Sequence, residues 1–424
     1  MIKFILNGIL RDRSRSLFPM ITVAMGSALT VLLYSYMMGA LNDMVFVNAN
    51  LSTGHVKIKS HYSLENTASS PIGTAMTNTN ALMNQLNATY PQLEWVQRLS
   101  FGGILDFPDD NGETKFQVLV AGISGDFLSD DSKELERMKI RDGIKTGDIP
   151  KNNGEILISD QLAQNNGIKV GDKATLISSS IDGAMVFQTM TIAGTVEFGI
   201  ALLDKGGAIV ADVNDIKHAF WMDDADVEIL GFFKEGHYGH EKATALKKDF
   251  NDNNPKIDDY GPGMILLEDQ NDLGQMLQMM SSASYLVVTI FLATMFTVLW
   301  NAGLMNGLRR YGEMGLRLAI GETSGHVYVS MVVEALGIGF MGSIVGTIIG
   351  LFFSYILQEI GLDISNSLQN STVFMNNIIR ASITPTSFYI GFFPGLLAPV
   401  IGALLSGRAI YKRETATLFK ELEN

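Results

Sequence analysis

Four stretches of the chain shed their polar residues for long enough to cross a bilayer. They are 17–41, 281–308, 326–357 and 388–407. Each predicts a transmembrane helix. The fourth carries Pro394 and Pro399, which a span tolerates when neighbouring helices satisfy the freed carbonyls. Between the first two spans the period changes. Gly54–Lys59 alternates apolar and polar positions, as a half-buried strand does. Ala81–Tyr90 reads as a helix, and strands are predicted at Trp95–Phe101 and Phe116–Ala121 around the turn-forming Pro108–Gly112.

A β-rich subdomain follows at about 125–205. Gly154–Ser159 predicts a strand, Asp160 a helix cap, Gln161–Asn166 a short helix closed by Gly167, and Met185–Thr195 part of a hairpin. Residues 207–265 return to mixed α and β, with a helix near His240–Asn251. Residues 269–285 predict a stalk helix running without a breaker into the second span. The fold class expected is an α-helical membrane protein with four transmembrane helices and a large α+β extracytoplasmic domain at 42–280.

Charge orients the spans. Lys3, Arg11, Arg13 and Arg15 precede the first span. Arg309, Arg310 and Arg317 separate the second from the third, and Arg408, Lys412, Arg413 and Lys420 follow the fourth. The positive-inside rule makes these segments cytoplasmic, so 42–280 and the loop 358–387 lie outside and 408–424 is a cytoplasmic tail. Segment 1–16 reads either as an amphipathic helix along the inner leaflet or as a topogenic flank. The first span is longer than the 7–15-residue core of a signal peptide and is read as a retained anchor. The net charge of −13 conceals a division: 42–280 holds 35 acidic and 19 basic side chains, and the remainder is slightly basic. An acidic external domain argues against nucleic acid as a partner.

Little in the sequence points to catalysis. Cysteine is absent, which excludes disulfides and thiolate chemistry. No Gly-x-x-x-x-Gly-Lys-[Ser/Thr] loop occurs, so nucleotide hydrolysis would fall to a separate polypeptide. His237 and His240 flank a glycine and read as a polar loop leading into a helix rather than a metal site. Glu334, inside the third span, is a functional candidate by default. As a lone carboxylate it suits a helix-to-helix or interfacial hydrogen bond better than a proton relay. Gly303 and Gly307, and Gly342, Gly346 and Gly350, repeat at four-residue spacing and allow close helix packing, either within the chain or against a second copy. Met37, Met38, Met44, Phe46, Met276 and Met280 cluster near the outer ends of the first two spans. They read as lipid-facing packing or as a mouth for acyl chains.

The run from Leu308 through Arg309, Arg310, Glu313, Met314, Arg317 and Ala319 to Gly321 resembles the signature of FtsX-type permeases of ABC transporters. Gly54–Ile58, Gly154–Ile158, Gly167–Asp172 and Gly194–Glu197 resemble segments of the MacB-type periplasmic core. In layout the chain is most similar to the lipoprotein-releasing permeases LolC and LolE. The resemblance implies a type VII ABC permease of the bacterial inner membrane, itself without enzymatic activity. It would work with a cytosolic ATPase dimer that carries ATP and Mg, and with a second permease subunit, identical or homologous. It also implies that 309–321 is a coupling helix seated on the ATPase, with Glu313 and Arg317 one turn apart. The implied substrate is a lipoprotein or other amphipathic molecule drawn from membrane lipid and passed to an acceptor or adaptor. MacB-like efflux and FtsX-like control of a cell-wall hydrolase are the competing expectations.

Overall fold

The computed structural model describes residues 13–66, 72–108, 112–129, 132–180, 183–270, 272–309, 311–367 and 375–412. The chain divides into two compact units. A helical unit takes the residues up to Asn42, Met279–Leu362 and those from Ile379 onward, and an α+β unit takes Asp43–Gln278 and Asp363–Ile378.

Helix α1 runs Arg13–Asn48 and continues as a π-helical turn, Ala49–Thr53. It outruns the expected 17–41 because Asn42 and Asp43 are polar without breaking a helix. The stop comes at Gly54, whose positive φ of 63° lets its N–H return to the carbonyl of Ala49. Of segment 1–16, residues 1–12 lie outside the described residues.

The α+β unit contains strands β1 (Val56–Ser60), β2 (Leu93–Arg98), β3 (Ser100–Pro108), β4 (Thr114–Gly125), β5 (Ile144–Gly147), β6 (Glu155–Ser159), β7 (Lys173–Ser179), β8 (Met185–Val196), β9 (Ala208–Asp212), β10 (Glu228–Phe233) and β11 (Pro262–Leu266). Its longer helices are α2 (Thr79–Thr89), α3 (Asp160–Asn166), α4 (Val213–Ala219) and α5 (His240–Asn253). One sheet is antiparallel, in the order β11-β1-β10-β2. Val56, Ile58, Trp95 and Ile229 on it pack against Leu86 of α2 and Phe250 of α5.

The second sheet has the order β5-β8-β6-β9-β4-β3-β7, and β7 pairs again with β8. Six strands therefore close into a ring, with β5 at its side. Closure depends on the length of β8: Met185–Thr191 pairs with β7, and Thr191–Val196 runs parallel to β6. Leu105, Phe107, Val120, Ile158, Leu176 and Met190 fill the interior, as the inward positions of a small barrel must.

Three expectations change here. The strand at 95–101 is two strands in two sheets. They part at Leu99, whose N–H donates to Ser124 Oγ and whose carbonyl accepts the same hydroxyl. The β-rich subdomain is wider than 125–205, since β3, β4 and β9 belong to the same closed sheet. At α3 the cap is Ser159, which accepts the Leu162 N–H, and Asp160 is the first helical residue.

Further along the chain come helices α6 (Leu273–Arg309), α7 (Tyr311–Ala319), α8 (Ser324–Ile360) and α9 (Phe392–Lys412). The stalk expected at 269–285 starts later: a 3₁₀ turn at Leu267–Asp269 is followed by Asp272 in the left-handed region (φ 57°), and α6 begins at Leu273 and runs unbroken into the second span. The segment before α9 is likewise a 3₁₀ turn, Pro385–Phe388. Among the described residues, four helices are long and apolar enough to span a membrane. They are unequally covered: 39% of the most apolar stretch of α8 is buried, against 11% for α6.

Candidate functional site

The short helix α7 is built to present one face. Met314 is buried among Val327, Met331, Ala335 and Ala403, with Leu318 packed beside it, which fixes the inward side. Glu313, Leu316, Arg317 and Ile320 are exposed and recur at three- and four-residue spacing, so they share the opposite face. Leu316 and Ile320 are 57% and 77% exposed, costly for apolar side chains that meet only water. The charges on this face belong to the sequence motif. The signal for the apolar pair was there as well, in its i, i+4 spacing opposite Met314 and Leu318.

Helix α7 is shorter than the segment 309–321. Arg309 is the last residue of α6, Arg310 lies outside the described residues, and Ala319 ends α7. Gly321 closes it at φ 97°: its N–H bonds the carbonyl of Leu318 and that of Glu322 the carbonyl of Arg317. This Schellman arrangement needs a residue that tolerates the left-handed region. Arg317 is directed at Glu322, Nε to Oε2 3.8 Å, and at the Ser330 hydroxyl.

Behind α7 the spanning helices meet backbone to backbone. A Cβ on Gly346 would lie 2.3 Å from the carbonyl oxygen of Ala24, and one on Gly350 2.8 Å from that of Ala28. Gly342 faces Val23 and the Met20 carbonyl, so this glycine row is the seam between α8 and α1. Gly303 of α6 meets Pro399 and Gly402 of α9. For these four glycines the close partner is therefore within the chain. Gly307 is placed on α6, and its surroundings are not among the described contacts. Buried hydroxyls reinforce the seams: Ser27 donates to the Gly391 carbonyl, and Ser35 to Ser387. Glu334 is half-buried where Pro19, Val23, Leu299, Gly303 and Pro399 converge, beside free space of about 20 Å³, roughly one water's worth.

The FtsX-like permease C-terminal family model matches residues 285–415 and the MacB-like periplasmic core domain model matches residues 16–229, half of the chain. The chain belongs to the FtsX/MacB type of ABC-transporter permeases, type VII. Among solved structures, the periplasmic region of MacB from Actinobacillus actinomycetemcomitans is similar at 11% identity and a TM-score of 0.36, over 54% of this chain and 94% of that one. No curated protein matches. The FtsX/MacB permease is thus a transmembrane subunit, of a family that works with a cytosolic ABC ATPase. Its four apolar helices and MacB-like domain fit an inner-membrane protein with a periplasmic domain.

Other candidate residues of the permease fall in both units. Met37, Met38 and Met280 are half-buried in the helical unit, and Phe46 and Met276 belong to the α+β unit. Met44 is fully buried and cannot line an open mouth: a side chain already enclosed by protein offers nothing to an acyl chain. His237 Nδ1 lies by the Glu235 carbonyl and His240 Nδ1 by Glu268, so the two imidazoles serve separate contacts.

The periplasmic unit of the permease buries several charges. Lys57 and Glu228 lie 2.6 Å apart, and burial draws the Lys57 ammonium below its ordinary pKa against the opposing pull of Glu228. Arg98 and Glu134 pair at 2.6 Å with both side chains enclosed, and the Arg98 guanidinium also donates to the carbonyl of Asn50 in the π turn. Arg137 joins Glu134 and Glu94 while stacking over Phe232 at 4.0 Å. Burial would raise the Glu134 carboxyl, yet Arg98 and Arg137 hold it below the usual range. None of these groups was distinguishable in the sequence from a solvated surface charge.

Proposed function

We propose that this permease couples ATP hydrolysis by a separate cytosolic ATPase to the extraction or release of a lipoprotein or other amphipathic substrate from the outer leaflet of the inner membrane. The exposed face of α7 carries the proposal. Glu313, Leu316, Arg317 and Ile320 combine two charges with two apolar anchors on a helix that Met314 pins to the spans. Such a face suits a groove on a partner, and the positive-inside rule places it in the cytoplasm with both termini. ATP and Mg would act on the ATPase. The thin covering of α6 supports a second permease subunit packed in the membrane against it. The substrate class follows the resemblance in layout to lipoprotein-releasing permeases, with MacB-like efflux and control of a cell-wall hydrolase as the alternatives.

Glu313→Lys tests the coupling. In proteoliposomes with the cognate ATPase, the variant is expected to insert and fold normally but to lose substrate release while ATP turnover continues. Normal release in that variant would count against the docking role. Purification in mild detergent addresses the substrate: a co-purifying lipoprotein supports extraction, whereas recovery of a periplasmic adaptor with an outer-membrane duct would transfer the assignment to efflux.

A further inference from the structure

A basic segment stands out from the acidic α+β unit. Between Lys133 and Lys145 the chain carries five basic and three acidic side chains, against a balance of −16 for residues 42–280. Lys133, Arg137 and Lys145 are engaged with Glu94, Glu134 and Glu197. Lys139 and Arg141 are exposed and form no ion pair among the described residues, although Glu136 and Asp142 are exposed on the same segment. Instead the Lys139 ammonium sits 5.1 Å above the ring of Phe46, which is itself 44% exposed. Lys139 is held in the left-handed region at φ 54°, a conformation a side chain with a Cβ adopts only at a cost. An exposed lysine kept in a strained conformation over an exposed aromatic ring calls for a functional reason.

Position along the chain supplies one. Leu135, Met138 and Ile140 pack with Val47 and Leu51, which fastens this segment to the end of α1. Phe46 comes five residues after Leu41, the last of the first apolar span, and α1 is helical throughout. At 1.5 Å per residue that is about 7.5 Å along the axis, comparable to the roughly 5–7 Å of one headgroup layer. We infer that Lys139 and Arg141, with Phe46, form a contact surface for the phosphate groups of outer-leaflet phospholipids. The complementarity is of charge, positive against phosphate, and Phe46 adds an exposed apolar ring beneath the Lys139 ammonium. The inference rests on membrane residence alone, so it stands or falls separately from the lipoprotein proposal.

The sequence has no cysteine, so Lys139→Cys and Arg141→Cys each create a unique labelling site in the full chain. With bimane attached, and the protein in nanodiscs of phosphatidylcholine and phosphatidylglycerol, a headgroup-nitroxide lipid should strongly quench both positions. In the same discs, the double variant Lys139→Gln/Arg141→Gln should lower the enrichment of bound phosphatidylglycerol over phosphatidylcholine by roughly fivefold for each charge removed, the equivalent of ~1 kcal/mol per basic side chain at a membrane surface. Lys139→Arg should keep the enrichment. Both positions are exposed, so the buried Arg98–Glu134 pair is undisturbed. Absence of quenching at both sites, or unchanged enrichment in the double variant, overturns the inference.

Discussion

The helical and α+β units solve the same problem, burial, by opposite means. In the α+β unit, side chains do the filling: aromatic and branched residues pack the closed sheet, and even Arg98, Glu134, Lys57 and Glu228 are enclosed once paired. In the helical unit, side chains withdraw. Gly342, Gly346 and Gly350 let the α8 backbone reach the α1 backbone, and serine hydroxyls rather than ion pairs bridge Ser27 to Gly391 and Ser35 to Ser387. The difference follows from solvent. Water rewards removal of apolar area, whereas lipid is as apolar as leucine, so only close van der Waals approach and internal hydrogen bonds favour association there.

The largest effect expected from breaking this contrast is at Arg98. Arg98→Ala leaves Glu134 enclosed with one partner fewer and removes the donor to the Asn50 carbonyl, and should destabilise the α+β unit by about 3–5 kcal/mol. Hydrogen exchange should show protection lost in β2 and β4 and retained in α8. Arg98→Met combined with Glu134→Leu should recover part of the loss, since the enclosed pair is then removed whole and Arg137 keeps Glu94. If Arg98→Ala unfolds both units together, the two are not independently stabilised.

A second effect is confined to the α+β unit and set by pH. His55 is buried, accepts the Phe233 N–H at Nδ1, and is drawn down to about 4 by burial, then by Arg137. Neutral in the fold, it must stay so for that bond to persist. Between pH 6.5 and 4 the unfolded imidazole takes up a proton that the native one refuses, so stability falls as pH drops through this window and is insensitive to His55 above it. The span of the shift corresponds to about 3 kcal/mol. The slope, followed through the exchange of the Phe233 amide, should flatten in His55→Gln. A slope that survives would assign the acid sensitivity to another group.

What could be read in advance follows the same division. Spans announce themselves through runs of apolar residues, and the Arg309–Gly321 motif and the Gly342–Gly350 spacing are local signals that needed no tertiary information. The partner of that glycine row was not legible, because spacing states that something approaches closely and not what. In the α+β unit most short elements were visible, but not the closure of the sheet. Closure depends on β8 being long enough to serve β7 with one half and β6 with the other, a fact of pairing and not of pattern. Leu99 was invisible for the same reason, its departure from one sheet to the next being set by Ser124, 25 positions away. Arg98 and Glu134 are 36 positions apart and look like any other charges until the fold encloses them.

The smallest effect is also the sharpest test of how the helical unit is held. Two glycines share the α1–α8 region of the chain and differ in what a methyl group would meet. At Gly346 it would lie 2.3 Å from the Ala24 carbonyl oxygen and 2.8 Å from the Ala24 Cα, backbone atoms that cannot rotate aside. At Gly26 the nearest atoms are side-chain carbons of Leu299 at 3.5 Å, an ordinary contact. Gly346→Ala should therefore cost about 1–3 kcal/mol as the helices are forced apart. Gly26→Ala should be neutral or stabilising by up to about 1 kcal/mol, because alanine is the better helix former. Unfolding in bicelles monitored on α8 would separate the two, and the His55 pH slope should be the same in both. Equal tolerance at the two positions would mean that the α1–α8 seam relaxes freely, and that backbone approach is not what holds this unit together.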